Sequence, residues 1–171
     1  MRGSLSVSPE VRVKSINYSQ YLVFRVQGAR YALRLDQVEE VAECGPVTPV
    51  PLMPSFVLGI INVRGCVVPI IDLAARLKLP SRPRGKRASL VIVEALFESH
   101  SYRIGLLVDA VETLLDVHTD DIATAPSFGS AIRRDFIIGI LQGDSANAIA
   151  LDLQRLVALD ELQPTPRALA P

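Results

Sequence analysis

Few side chains in this sequence are placed to do chemistry, and the most conspicuous is an arginine. Arg64 stands in Asn62-Val63-Arg64-Gly65, the one polar break in an apolar run from Phe56 to Leu73. A guanidinium stays charged at physiological pH and offers a planar fork of donors that matches a carboxylate. At the tip of an apolar hairpin such a group suits recognition. The other candidates carry less. Asp72, Asp109 and Asp152 are of the type used as general acids and bases, but each precedes a helix-like segment, where capping accounts for it. His100 lies between Ser99 and Ser101, and His118 near Asp116, Asp120 and Asp121. Neither has a histidine four residues away or a cysteine beside it, so both read as solvated loop residues and no metal site is expected. Cys44 and Cys66 are the only cysteines. They are expected as free thiols in a reducing compartment, Cys66 packing in its strand. The nucleophile-elbow pattern GxSxG and the phosphate-cradling glycine loops are absent. No catalytic residue and no cofactor are expected.

Elements must hold that arginine in place. The residues flanking the tip are mostly Val, Ile and Leu, which suit a half-buried pleated surface, and Gly65 can take the positive φ of a tight hairpin turn. Two strands, Phe56–Ile61 and Cys66–Ile71, therefore meet at Arg64. Upstream, Tyr21–Val26 and Tyr31–Leu35 read as strands joined by a turn over Gln27–Arg30, with Tyr31, Leu33 and Leu35 alternating against Ala32 and Arg34. Asp36 is placed to cap a short helical turn, with Glu39 closing a capping box. Pro46, Pro49, Pro51 and Pro54 make the next segment an irregular connector. Asp72 should cap a short helix through Leu73 and Leu77 that Pro80 ends. Leu90–Val93 and Tyr102–Val108 follow as strands, Asp109 as the start of a helical turn, and Thr119–Arg134 as a loop. Phe136–Leu141 and Ala148–Leu151 are strands, and Asp152 caps a last helix carrying Leu153, Leu156, Val157 and Leu159.

Composition narrows the class. The chain has 171 residues, 49% hydrophobic and 21% charged, so it is globular with an aliphatic core. Lys plus Arg number 18 and so do Asp plus Glu, which removes any overall electrostatic drive toward nucleic acid or an anionic membrane. Arg82, Arg84, Lys86 and Arg87 form one basic cluster, but without aromatic platforms around it a solvated linker is the better reading. No uninterrupted apolar run approaches the roughly 18 residues of a membrane span, and Met1–Gln20 lacks a signal-peptide core. We expect a loose arm over residues 1–20, an ordered region over 21–162, and a tail over 163–171, in a cytoplasmic protein.

The ordered region repeats itself. Phe56-Val57-Leu58-Gly59-Ile60-Ile61 aligns without gaps on Phe136-Ile137-Ile138-Gly139-Ile140-Leu141, and at the same offset Asp72-Leu73 falls on Asp152-Leu153 and Leu79 on Leu159. Upstream, Tyr31-Ala32-Leu33 matches Tyr102-Arg103-Ile104. After a two-residue insertion, Asp36-Gln37-Val38-Glu39 matches Asp109-Ala110-Val111-Glu112. Pro54-Ser55-Phe56 is echoed by Pro126-Ser127-Phe128. Two copies of a small β unit are therefore expected, about 21–87 and 88–162, each too short to bury a core alone and packed as a pair of five-stranded barrels. The repeat is also an internal control. Features present in both copies, such as Gly59 and Gly139, belong to the fold. Asn62 faces Gln142, Arg64 faces Asp144, and Glu40 faces Thr113, so these polar residues answer to something else.

With the repeat and the Asn-x-Arg-Gly hairpin followed by Pro69-Ile70-Ile71-Asp72-Leu73, the chain resembles the CheW-like coupling proteins of bacterial chemosensory arrays. The likeness also rests on Tyr21-Leu22-Val23-Phe24, Val38–Val41 and Gly105-Leu106-Leu107-Val108-Asp109, and covers about Tyr21 to Leu162. It implies an all-β fold of two SH3-like barrels with short helices, one at the C-terminus. It implies a non-catalytic adaptor that joins the cytoplasmic tips of methyl-accepting chemoreceptors to the regulatory domain of a CheA-type histidine kinase. Such an adaptor is cytoplasmic, is recruited to membrane-associated arrays, and neither inserts into the membrane nor binds nucleic acid. Service in another chemosensory pathway, for twitching motility or cyclic-dinucleotide output, is the alternative. By position, the likeness assigns coupling to Val38, Glu40, Gly59, Asn62, Arg64, Gly65 and Leu90. Val38 and Leu90 would supply apolar contact, while Glu40 and Arg64 would bond to a partner or to each other.

Overall fold

The apolar runs become strands, and most strands are buried on both faces. The computed structural model describes residues 17–80, 88–126, 132–144 and 146–158. Strands β1 (Tyr18–Val26), β2 (Ala29–Arg34), β3 (Val38–Glu43), β4 (Val57–Val63) and β5 (Cys66–Asp72) lead into helix α1 (Leu73–Arg76). Then come β6 (Ser89–Phe97), β7 (His100–Val108), β8 (Ala110–His118), β9 (Ile122–Ala123), β10 (Ile137–Leu141), β11 (Ala148–Leu151) and helix α2 (Leu153–Val157). The N-terminal arm up to residue 16, the basic linker, Ser127 and Phe128 of the proline echo, Leu159 and the tail lie outside the described residues.

Two sheets form, and each draws strands from both repeats. One has the order β8-β1-β2-β11-β10-β9, the other β3-β6-β7-β5-β4. The first repeat's hairpin β1–β2 thus sits in the second repeat's sheet, and β6–β7 sits in the first's. The joints are the two parallel pairings, β2 with β11 and β5 with β7. Residues 38–108 accordingly supply one sheet, and the chain on either side of them supplies the other. The boundary at 87/88 marks where the repeat restarts; it does not separate the sheets.

Each sheet is drawn round by the chain itself. The connector leaving edge strand β3 pairs at Thr48 with Ile60 on the opposite edge strand, β4, and β9, just after β8, pairs with β10. Three apolar clusters result. Ile61, Val68, Ile70, Leu90 and Leu107 fill the five-stranded unit, and Tyr21, Val23, Ala32, Val117 and Leu141 lie within the six-stranded one. Between them, Leu22, Phe24, Tyr31, Val91, Val93, Ile104 and Leu106 make the largest core. Along β1, Tyr21 and Val23 face one cluster while Leu22 and Phe24 face another, so Tyr21–Phe24 has no polar face to show, and Arg25 is the first residue after it to reach solvent. Arg76, only 7% exposed, lies between Phe56 and Phe136, the repeat's equivalent phenylalanines, and donates from Nε to the Leu156 carbonyl at 2.7 Å. A buried guanidinium needs such acceptors.

Several local expectations are corrected. Asp72 and Asp152 do cap their helices, accepting from Ala75 N and Arg155 N. Asp36 does not cap. A 3-10 turn over Leu35–Gln37 precedes β3, and the Asp36 carboxylate pairs with Arg34 at 2.6 Å. Asp109 opens no helix either; it accepts from Gln27 N at 2.7 Å, and the chain goes directly into β8. Val111, Leu114 and Leu115 have helical spacing, but the exposed edge of β1 outweighs that local preference. Helix α1 stops before Pro80 is reached. Lys78, at φ 56°, ends it with Lys78 N to Ala75 O and Leu79 N to Ala74 O, the bond pattern of a Schellman cap. Finally, Tyr31 pairs with Phe24 and Ile104 with Val93, while Val38 pairs with Val93 and Val111 with Phe24. Tyr31 therefore corresponds to Ile104 instead of Tyr102, no insertion separates it from the Val38/Val111 match, and the extra length of the second repeat, four residues, lies in the longer β6–β7 hairpin.

Candidate functional site

The tip of β4–β5 is a two-residue turn in which both central residues have positive φ, Arg64 at 52° and Gly65 at 82°. Such a turn matches the twist of the strands it joins. Glycine or asparagine suits its first position, whereas a side chain such as arginine pays about 1 kcal/mol for the left-handed backbone. Turn geometry alone does not favour Arg64, although the β1–β2 turn likewise carries Gln27 at φ 53° before Gly28 at 83°. Asn62, which the repeat assigned to function, has a local task as well. Its Oδ1 accepts from Gly65 N at 2.9 Å and staples the turn.

Four charged side chains converge below the tip. Arg64 Nη2 lies 3.1 Å from Glu40 Oε2, and Arg103 Nη2 lies 3.2 Å from Glu40 Oε1. Arg103 Nε meets Glu39 Oε2 at 2.5 Å. The bond from Glu39, above all, holds the Arg103 guanidinium protonated beyond its ordinary range, with desolvation opposing it and Cys66 contributing less. Local structure explains the convergence. Glu39 is the extra residue of a β-bulge, since β3 shifts register against β6 between Val38 and Glu40. Both glutamates can therefore reach one arginine two strands away, on β7. Exposure grades steeply across the group: the Glu40 side chain is 22% exposed, Arg103 28% and Arg64 80%.

The second repeat builds half of this arrangement. Glu112 occupies the matching bulge, where β1 pairs with β8, and it binds Arg30 Nε at 2.8 Å and Arg25 Nε as well. Arg30 corresponds to Arg103 in the ladder. Its Nη1 donates to the carbonyl of Ala146, the counterpart of Cys66, at 2.7 Å. Register also pairs Glu40 with Ile92 and Thr113 with Val23, so Thr113 stands where Glu40 does. Asp144 stands in place of Arg64. The bulge glutamate and its arginine are common to both rims. The outer pair Glu40–Arg64 exists on one rim only.

A groove of about 600 Å³ opens beside that pair, lined by residues that include Ala42, Pro46, Thr48, Ile61, Asn62 and Arg64. Of the residues expected to act in coupling, Asn62 and Arg64 line it, with Glu40 paired to Arg64 and Gly65 next in the turn. Leu90 does not reach a surface. It is fully buried, beside Ala42 across the ladder and in one cluster with Ile61, which lines the groove. Val38 is half-buried and packs against the core between the sheets. Gly59 is fixed by the fold: a Cβ there would lie 2.1 Å from the Thr48 carbonyl oxygen, with φ at 145°. At Gly139 it would lie 2.7 Å from the Ala123 carbonyl oxygen, because β9 crosses there as the connector crosses Gly59. Glu39 and Arg103 were missed by sequence reasoning, although Glu39 and Glu112 had aligned as members of a capping box. The repeated glutamate was the available signal.

Comparison with known proteins agrees with this geometry. The family model for the CheW-like domain matches residues 20–161. The chain belongs to the CheW-like family. A probable chemotaxis protein CheW of Rhizobium etli is 36% identical over 151 residues, covering 87% of this chain and 95% of that protein. Protein FrzA of Myxococcus xanthus is 31% identical over 134 residues, covering 78% and 80%. The crystal structure of the scaffolding protein TtCheW from Thermoanaerobacter tengcongensis superposes with a TM-score of 0.75 at 30% identity, covering 86% of this chain and 97% of that one. The chain is thus a chemotaxis adaptor of the CheW type, and among the described residues no helix is long and apolar enough to cross a membrane.

Proposed function

We propose that this chain is a non-catalytic cytoplasmic adaptor, recruited to membrane-associated arrays, that couples the tips of methyl-accepting chemoreceptors to the regulatory domain of a CheA-type histidine kinase. The single observation that carries this reading is the Glu40–Arg64 pair, present on one of two related rims, with Arg64 lining a groove whose walls include Ala42, Pro46, Ile60 and Ile61. A receptor tip is a helical hairpin, and its apolar stripe suits a groove of this kind. Arg64, largely in solvent, is placed to grip a carboxylate on that hairpin, while Glu40 fixes where the guanidinium starts from. Gly59 and Leu90 serve the same function indirectly, through Thr48 and Ile61 of the groove, and Val38 does so from the core between the sheets, where it sets the start of β3. Replacing Arg64 by Asn tests this, since Asn suits the turn and removes only the charge. Arg64→Asn should melt within about 1 kcal/mol of wild type and lose receptor-dependent control of the kinase. Co-sedimentation with receptor fragment and kinase, together and separately, reads the assembly. Normal coupling by this variant would remove Arg64 from the account.

A further inference from the structure

We propose that Arg103 is a positioning residue that makes Arg64 exchangeable; this rests on the adaptor reading above. Glu40 gives one carboxylate oxygen to each arginine, Oε1 to Arg103 and Oε2 to Arg64. The two cations are not alike. Arg103 is anchored a second time, on Glu39 at 2.5 Å, and is only 28% exposed, whereas Arg64 is 80% exposed and rides on a turn.

Consider what happens when Arg64 leaves Glu40 for a carboxylate on a partner. Without Arg103, Glu40 would remain as a mostly covered, unpaired carboxylate, and that penalty would oppose the departure. With Arg103 in place the charge of Glu40 stays compensated, so Arg64 can change partners at little cost. Arg103 also draws on the Glu40 charge continuously, which weakens its hold on Arg64. The second rim supports the division of labour. Arg30 binds Glu112 there in the same way and also donates from Nη1 to a backbone carbonyl; the half-exposed Arg25 of β1 shares that carboxylate, but the tip position itself holds Asp144 in place of an arginine. The inner arginine is thus part of the fold on both rims. Only on the first has it been given a second carboxylate to hold for an outer one.

The test uses the full chain and two readouts. The first is rotation of the Arg64 guanidinium, followed by NMR on protein with isotope-labelled arginine. The second is affinity for a receptor-tip fragment. Arg103→Gln should slow Arg64 rotation and weaken fragment binding about threefold to fivefold, the range open to a partly exposed pair. Arg103→Lys keeps the charge and should stay near wild type. Adding Glu40→Gln to Arg103→Gln should restore fast rotation. Unchanged rotation in Arg103→Gln would overturn the proposal. Should that variant not fold, Glu40→Gln alone must speed Arg64 rotation, and failure to do so is equally fatal. If the wild type does not bind the fragment, the adaptor reading fails, while the rotation readout still decides the role of Arg103.

Discussion

At the rim of the five-stranded sheet Arg103 ties Glu39 and Glu40 together, and Arg64 hangs outside them. At the rim of the six-stranded sheet Arg30 ties Glu112 to the backbone of Ala146, with Thr113 and Asp144 at the two outer positions. The folding problem is the same in both places: a bulged edge strand must be held against a hairpin supplied by the other repeat. A bulge glutamate bound by an arginine of that hairpin recurs in both, with Arg25 joining Arg30 on Glu112 at the second rim. The second rim stands without the outer pair, so the shared fold does not by itself call for it. A repeat within one chain thereby separates fold from function without any second sequence.

The comparison can be broken first at the features both rims share. Gly59→Ala would force a Cβ to within 2.1 Å of the Thr48 carbonyl at φ 145° and should destabilise the chain by about 3 kcal/mol, read from denaturant unfolding. Gly139→Ala meets Ile122 Cγ2 at 2.6 Å and the Ala123 carbonyl at 2.7 Å, and should cost about 2 kcal/mol. Equal stability of wild type and either variant would mean that the crossing connectors do not hold the glycines. A smaller effect sharpens the comparison through pH. Hydrogen bonds from Arg25 and then Arg30 hold the Glu112 carboxyl below its ordinary value of 4.5. A depressed carboxylate stabilises the fold above its unfolded pKa, and that contribution fades as pH falls through the folded value. Unfolding midpoints should therefore drop on acidification below about pH 4.5, and Glu112→Gln should flatten part of that slope with coupling at neutral pH untouched.

Much of the fold was legible because its signals are local. The β4–β5 hairpin, the caps at Asp72 and Asp152, and the matched Gly59 and Gly139 follow from neighbouring residues and a fixed offset. What escaped depends on distant partners. Strands β3 and β8 have weak patterns of their own and are strands because β6 and β1 offer them edges. The exchange of hairpins between repeats leaves no local trace. Arg103 looked like an ordinary strand residue until β3 placed Glu39 and Glu40 beside it. The contact between Glu40 and Arg64 was within reach of the sequence, because a difference between repeats singled out both residues. The burial of Leu90 was not, since its apolar side chain could equally face a partner or a core, and the repeat could not show the turn bond of Asn62.

The most direct test of the central claim gives the first rim the residues of the second. Glu40→Thr with Arg64→Asp should fold to within about 1 kcal/mol of wild type, because the second rim stands with those residues. In reconstituted arrays of receptor fragment and kinase the same variant should lose at least about tenfold in receptor-dependent kinase control, a single lost charge-assisted contact being worth about that much. Wild-type kinase control from a well-folded double variant would contradict the account.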